Sequence, residues 1–237
     1  SYFSEADQIS IEEDLSEKTQ KNNELFEYNR QIGENSNIIC QLIRKDMIDK
    51  FDSYINQTNI SLNTRIQPSI YETNPFLYDK NPTLIEYAAF HGSIQIFQYL
   101  RLKGVNLDPS LWYYTIHSNN AELIHLLEEN HVVVSDIMKL IKESIKCHHN
   151  NITNYIIETM MSSNENKINQ YNFYDNIIAF SFHYHNFEFI QNYYNYQFIF
   201  DYACLYDHLN IVKILLNNNQ VNINQEIVLN KIYIYIF

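Results

Sequence analysis

Apolar positions in this 237-residue chain recur in one frame. A small residue is followed by an apolar one, two variable positions and a residue that tolerates a left-handed backbone; an apolar pair and a further apolar residue come after. Five stretches carry it, starting at Ala88, Thr115, Ser144, Ser181 and Ala203. The clearest reads Ala88, Ala89, Phe90, His91, Gly92, then Ile96, Phe97 and Leu100. Spacing of three and four predicts helices, and self-similar units of this length predict a stacked array rather than a globule around one central site.

Each position of the frame has a physical reason. The small residue lets two helices approach closely, and the next one (Ala89, Ile116, Ile145, Phe182, Cys204) is expected to point into the stack. Gly92, Asn119, His148, His185 and Asp207 fall at a helix end, where Gly turns left-handed freely and Asn, Asp and His are the other enriched types. A second helix supplies Ile96, Leu123, Ile152, Phe189 and Ile211, then Leu100, Leu127, Ile156, Tyr193 and Leu215 one turn later. The predicted fold is all-α, antiparallel helix pairs stacked into a repeat solenoid, with repeats beginning near 83, 110, 137, 174 and 198.

The flanks read differently. Residues 1–36 hold Glu5, Asp7, Glu12, Glu13, Asp14 and Glu17 among few apolar residues, an acidic lead-in expected to be poorly ordered or loosely helical; an acidic interaction tail is the other reading. From there the array is expected to occupy 37–230. Ile39, Leu42 and Ile43, then Ile48, Phe51, Tyr54 and Ile55, lie on either side of Asp46 and predict a degenerate first helical pair over 38–56. The polar stretch 57–82 contains Pro68, Pro75 and Pro82, each of which keeps the preceding residue extended, so it reads as a long loop. The frame repeats at 88, 115, 144, 181 and 203, intervals of 27, 29, 37 and 22 residues. The longest holds the polar insertion Ser162 to Asn172 and the shortest has no room for a full hairpin, so irregular stacking is expected around Ser181. At the end, 231–237 form an apolar tail that either begins another repeat or folds back on the last helices.

These residues resemble ankyrin repeats. Thr83, Ala88, Ala89, Gly92, Ile96, Leu100 and Gly104 fall at the spacing of the T-P-L-H-x-A-A-x-x-G consensus and its second helix. The wording of 83–94, 110–117 and 143–150 is similar to the divergent ankyrin domain of unknown function expanded in trichomonad protists. Such a resemblance, covering about 38 to 230, implies protein binding without catalysis. Leu84 and Glu86 replace the Pro and His of the consensus, so the hydrogen bonds that link neighbouring loops in the family do not carry over. Intervals below the usual ~33 residues leave short hairpins or none.

Charge and chemistry narrow the function. With 16 Lys and Arg against 28 acidic residues and a net charge of -12, the chain lacks the basic stripe a nucleic-acid binder needs. No apolar run reaches the ~20 residues that span a bilayer, so no membrane role is expected. Cys40, Cys147 and Cys204 are odd in number and widely spaced, which suits reduced thiols, and no signal peptide accompanies the sequons at Asn56, Asn59 and Asn151. A cytoplasmic protein is expected. Cys147, His148, His149, His183, His185, Cys204 and His208 could suggest a metal site, but adjacent helical residues diverge and no metal-type spacing is present, so no metal or cofactor is expected. Glu128 and Glu129 diverge for the same reason, no nucleophilic triad appears, and the chain reads as a non-enzyme.

The sharper expectation concerns the concave face of the inner helices. Its exposed positions would be the one before the small residue and the two variable ones: Tyr87, Phe90, His91; Tyr114, His117, Ser118; Glu143, Lys146, Cys147; Phe180, His183, Tyr184; and Tyr202, Leu205, Tyr206. A surface this rich in aromatic and imidazole groups suits a protein partner, since such rings supply contact area at low entropic cost. The candidate partner-binding set is Tyr87, Phe90, His91, Tyr114, His117, His183, Tyr184, Tyr202, Leu205 and Tyr206. The competing reading buries these rings against each other or against the 57–82 loop. As alternatives for the whole chain, it is a fragment of a larger repeat array with no independent activity, or a metal-binding or enzymatic protein built on its Cys and His residues.

Overall fold

A computed structural model of the chain describes residues 20–160, 170–191 and 195–221. Residues 1–19 of the lead-in, most of the Ser162–Asn172 insertion, Tyr193 and the tail 231–237 lie outside them. Among the described residues the structure is all-α, with one isolated antiparallel bridge between Arg65 and Thr83 and no strand. The described residues divide between Asp108 and Pro109 into two compact units. Each is a stack of antiparallel helix pairs, a helical repeat architecture.

The first unit holds α1 (20–32), the pair α2 (Ile38–Arg44) and α3 (Ile48–Thr58), and the pair α4 (Leu84–His91) and α5 (Ile94–Leu102). Helices this short are marginal alone, and their ends are satisfied by side chains. Asn37 accepts the N–H of Ile39 at 3.0 Å to open α2. Thr83 opens α4 with a capping box: its hydroxyl accepts the N–H of Glu86 at 3.3 Å while Glu86 Oε2 accepts the N–H of Thr83 at 2.7 Å. Glu86 is the third residue of α4 and closes the box back onto Thr83. Asp46 caps α5 from the turn between α2 and α3, its two oxygens accepting the N–H groups of Ile96 at 2.9 Å and Gln95 at 3.0 Å.

The stretch after α3 is a loop, as its prolines imply, but a packed one. Ile66, Phe76 and Leu77 are buried, and Phe76 stacks on Phe90 of α4 with ring centroids 5.8 Å apart. The loop also holds the end of α1. Gly33 turns left-handed at φ 69° and its carbonyl accepts both the N–H and the hydroxyl of Thr73, at 3.0 and 2.9 Å. A Cβ on Gly33 would meet Thr73 Oγ1 at 2.8 Å, closer than side chains pack.

The second unit holds the pair α6 (Leu111–Ser118) and α7 (Ala121–Glu129), then α8 (Ile137–Lys146) and α9 (Asn150–Tyr155). Helix α9 widens into a π turn through Met160. Helix α10 (Gln170–His183) has no full partner: a 3-10 turn, Phe187–Ile190, stands in place of a second helix because only 22 residues separate Ser181 from Ala203. The pair α11 (Tyr196–Leu205) and α12 (Leu209–Asn217) follows, and Ile178, Phe182, Ile199, Tyr202, Ala203 and Leu215 form the core it shares with α10.

The frame holds in both units. Ala88, Thr115, Ser144, Ser181 and Ala203 are all 0% exposed, where helix meets helix. Gly92, Asn119, His148, His185 and Asp207 all turn left-handed, with φ between 51° and 70°. In four of the five turns the next N–H reaches back to the small residue's carbonyl: Ser93 to Ala88 at 2.9 Å, His149 to Ser144 at 3.1 Å, Asn186 to Ser181 at 2.8 Å and His208 to Ala203 at 2.7 Å. Asp46, with φ 48°, makes the same turn in the first pair, Met47 N–H reaching Leu42 at 3.1 Å. Burial of each core Leu, Ile or Phe behind these turns stabilises by about 1.5–3 kcal/mol.

Two frame positions depart from expectation, the first being Phe189, which lies in the 3-10 turn and not in a second helix. Cys204 was to point into the stack, and it is exposed. Helix α11 is the last inner helix among the described residues, so no later pair covers that side.

Candidate functional site

The inner helices sort the candidate residues by frame position. The aromatic residue before the small one is buried wherever it occurs: Tyr87, Tyr114, Phe180 and Tyr202 are at most 8% exposed. This corrects the expectation that Tyr87, Tyr114 and Tyr202 form an open surface. The cause is visible at three of the four. Tyr87 accepts a hydrogen bond from Arg44 of α2 at 2.8 Å, Phe180 lies under Lys142 of α8, and Tyr202 stacks with Phe182 of α10 at 6.1 Å. A side chain 100° ahead of the small residue therefore faces the preceding inner helix, not the groove. Phe90 is also buried, covered by Phe76 of the loop. The other candidates at the two variable positions stay at least partly open: His91, His117, Tyr184 and Tyr206 are half-buried, and His183 and Leu205 are exposed.

In the first unit, His91 is part of a closed network rather than a surface. Its ring lies 4.4 Å from that of Tyr87 and 4.9 Å from that of Phe90, and Nε2 is buried without a hydrogen-bond partner among the described residues. Burial, then the nearby Arg44 charge, holds its pKa down to about 4. Cys40, next to Tyr87, is fully buried, and burial pushes its thiol up to about 12. Arg44 joins the group by an ion pair with Glu34 at 2.7 Å and a hydrogen bond to the carbonyl of Asn35 at 2.8 Å. Such a network is inert to nucleophilic chemistry.

In the second unit, three side chains of chemical interest converge. Glu143 and Cys147 lie four residues apart on one face of α8, and His117 comes from the last turn of α6. His117 Nε2 is 2.9 Å from Glu143 Oε1, and Cys147 Sγ lies 3.6 and 3.9 Å from His117 Nδ1 and Nε2. One ligand atom from each residue falls within 4.8 Å of the other two. Lys146 Nζ also donates to Glu143 Oε1 at 3.1 Å. Burial opposes ionisation of Glu143, but the hydrogen bonds from His117 and Lys146 outweigh it and hold the carboxyl below its ordinary range. Burial and then the Glu143 charge push the Cys147 thiol up to about 11. Sγ is nearly equidistant from both ring nitrogens, so it sits beside or over the ring and off either lone-pair axis. A neutral thiol in that pose is no activated nucleophile.

A second cluster joins α10 and α11. His183 Nδ1 lies 3.1 Å from Tyr206 Oη, and the His183 ring is 4.5 Å from that of Tyr184 and 5.5 Å from that of Tyr206. Leu205, 43% exposed, adds an apolar edge. Burial, with the neighbouring Lys142 and His185 charges, lowers the pKa of His183, so its imidazole is neutral at pH 7.

A family resemblance falls on the pair beneath this cluster. Residues 195–225 match the ankyrin repeat. That span takes in α11 and α12, so the described helix pair has an ankyrin repeat's sequence as well as its helical arrangement. Neither the curated proteins nor the solved structures provide a match to the chain. No helix among the described residues is long and apolar enough to cross a membrane.

Sequence reasoning set His117, Glu143 and Cys147 together on the inner-helix face but weighed only Cys147 among possible metal ligands. The signal was in the register. His117 is two positions after Thr115, while Glu143 and Cys147 flank Ser144 one repeat later, so stacking of α6 beside α8 brings the three together.

Proposed function

We propose that the chain is a non-enzymatic protein-interaction scaffold, built of divergent ankyrin units of the kind its wording resembles and working inside the cell. It takes a partner protein on the inner-helix face of the second unit, through His117, His183, Tyr184, Leu205 and Tyr206. The observation that carries this reading is the His183–Tyr206 pair, 3.1 Å apart and flanked by exposed Leu205. An accessible phenol, an imidazole and an apolar edge supported by a buried Tyr202 have the make-up of a binding hot spot, rigid below and amphipathic above. The ankyrin match takes in α11, which carries Leu205, with Tyr206 just after it.

The test is capture of a partner by Leu205→Asp and Tyr206→Ala variants, followed by titration with the purified partner. Binding weakened at least about tenfold, with unchanged circular dichroism and melting, supports the reading. Full-strength binding by both folded variants refutes it.

A second reading is favoured by α12, where Leu209, Ile214 and Leu216 leave apolar surface exposed. A further repeat stacked there would cover it, making this chain one part of a larger array without activity of its own. Added downstream repeats should then raise the melting temperature.

A further inference from the structure

We propose that His117, Glu143 and Cys147 form a zinc-binding site. The donor set is the first argument. Imidazole nitrogen, carboxylate oxygen and thiolate sulfur are the three ligand types zinc takes in proteins, and a soft sulfur beside an imidazole disfavours magnesium or calcium. The second argument is geometric. A tetrahedral zinc about 2.0–2.1 Å from N and O and about 2.3 Å from S sets an N···O edge of about 3.3 Å and an N···S edge of about 3.6 Å. Nε2 lies 2.9 Å from Glu143 Oε1 and 3.9 Å from Cys147 Sγ. The N···O edge needs a shift of a few tenths of an ångström, and Cys147 must rotate about its Cα–Cβ bond to bring Sγ from beside the ring round to the Nε2 side.

The third argument is rigidity. Glu143 and Cys147 are held one helical turn apart on α8, and His117 is fixed by α6, whose next residues cap the turn into α7. Buried Ser144 between the two α8 donors packs through Thr153, which donates to its hydroxyl at 2.8 Å. Charge also balances. One carboxylate and one thiolate neutralise a divalent ion, and the thiol proton leaves to solvent as sulfur takes up the metal. Lys146 occupies Glu143 in the meantime, but its side chain is 42% exposed and can swing into water. The side chains of His117 and Glu143 keep 12% and 18% exposure, which leaves the fourth coordination position to water or to a donor from outside the chain.

The experiment titrates the whole chain with zinc alone against a chromophoric chelator, and with cobalt alone as a spectroscopic reporter. Wild type should bind one equivalent and show a thiolate-to-cobalt charge-transfer band. Cys147→Ser should abolish the band, and both it and His117→Gln should weaken zinc binding at least about tenfold. Lys146→Gln should bind as tightly or more tightly, and Cys204→Ser should leave stoichiometry and band unchanged. Circular dichroism of each metal-free variant checks that it folds. No stoichiometric binding by folded wild type, or a band that survives Cys147→Ser and disappears in Cys204→Ser, overturns the proposal.

Discussion

Asn186 Nδ2 donates to the carbonyl oxygen of Ile145 at 3.0 Å, joining the turn after α10 to the inner helix before it. Asn186 is 3% exposed, and the same amide nitrogen also reaches Asn150 Oδ1 at 2.8 Å. The bond has counterparts at equal frame positions. His149 Nδ1 lies 2.8 Å from the carbonyl of Ile116, and Ser93 Oγ donates to that of Ile43 at 2.5 Å. In each case the residue after a left-handed turn satisfies a carbonyl three residues before the preceding turn. This ladder ties neighbouring pairs without the His of the ankyrin consensus, whose place Glu86 takes. Asn186→Ala removes two hydrogen bonds of a buried amide, to the Ile145 carbonyl and to Asn150 Oδ1, and should destabilise the protein by about 1–3 kcal/mol, read from urea unfolding. A change under about 0.5 kcal/mol would mean the ladder is incidental.

The left-handed turns make a separate prediction that packing does not confuse. Asn119 is exposed at φ 51°. Asn119→Gly should be neutral or slightly stabilising, whereas Asn119→Ile forces a β-branched residue into that conformation and should cost about 1–2 kcal/mol. Equal stabilities for the two variants would show that the turn relaxes to another conformation.

Much of this fold was legible because the frame fixes both burial and turn. The small residues and the left-handed residues follow from spacing, whereas the frame wrongly gave Phe189 a second helix after Ser181, where a 3-10 turn stands. The groove was misjudged for a reason of the same kind. Helical phase places Tyr87, Tyr114 and Tyr202 one step ahead of the small residue, where all three are buried, Tyr87 bonded to Arg44 of α2 and Tyr202 stacked on Phe182 of α10. A surface list drawn from regular repeats treats that position as open. Phe76 was invisible for a different reason: a loop with polar composition gives no periodic signal, and only the stacked Phe90 reveals what its apolar residues do. The His117, Glu143 and Cys147 grouping required knowing which helices are neighbours, since no two of its three members share a motif of metal-ligand type.

The loop anchor can be tested on its own. Phe76 stacks on Phe90 within 11° of parallel, and Lys80 Nζ lies 3.3 Å from the Phe76 ring centre. Phe76→Ala removes that cover and should cost about 3–5 kcal/mol, and native-state hydrogen exchange should rise in the Ile66 and Leu77 amides together. If exchange rises only at 76 and stability barely changes, the loop is an ornament on α4 and not part of its core.

His91 makes the fold sensitive to acid, in a direction its burial determines. Its folded pKa is about 4 against an ordinary 6.5, because burial and then Arg44 disfavour the charged ring. Below pH 6.5 the unfolded chain takes up a proton that the folded chain refuses, so stability falls as pH drops towards 4; above 6.5 neither state is protonated and this contribution is flat. The whole difference amounts to on the order of 3 kcal/mol. His91→Leu keeps an apolar side chain against Tyr87 and Phe90 and has nothing to titrate. Unfolding free energies of wild type and variant at pH 7.5 and 4.5 separate the two effects. The wild type should lose about 2–3 kcal/mol more than the variant over that range. Parallel losses in both proteins would mean that His91 is protonated in the folded state without penalty, and that its ring opens to solvent.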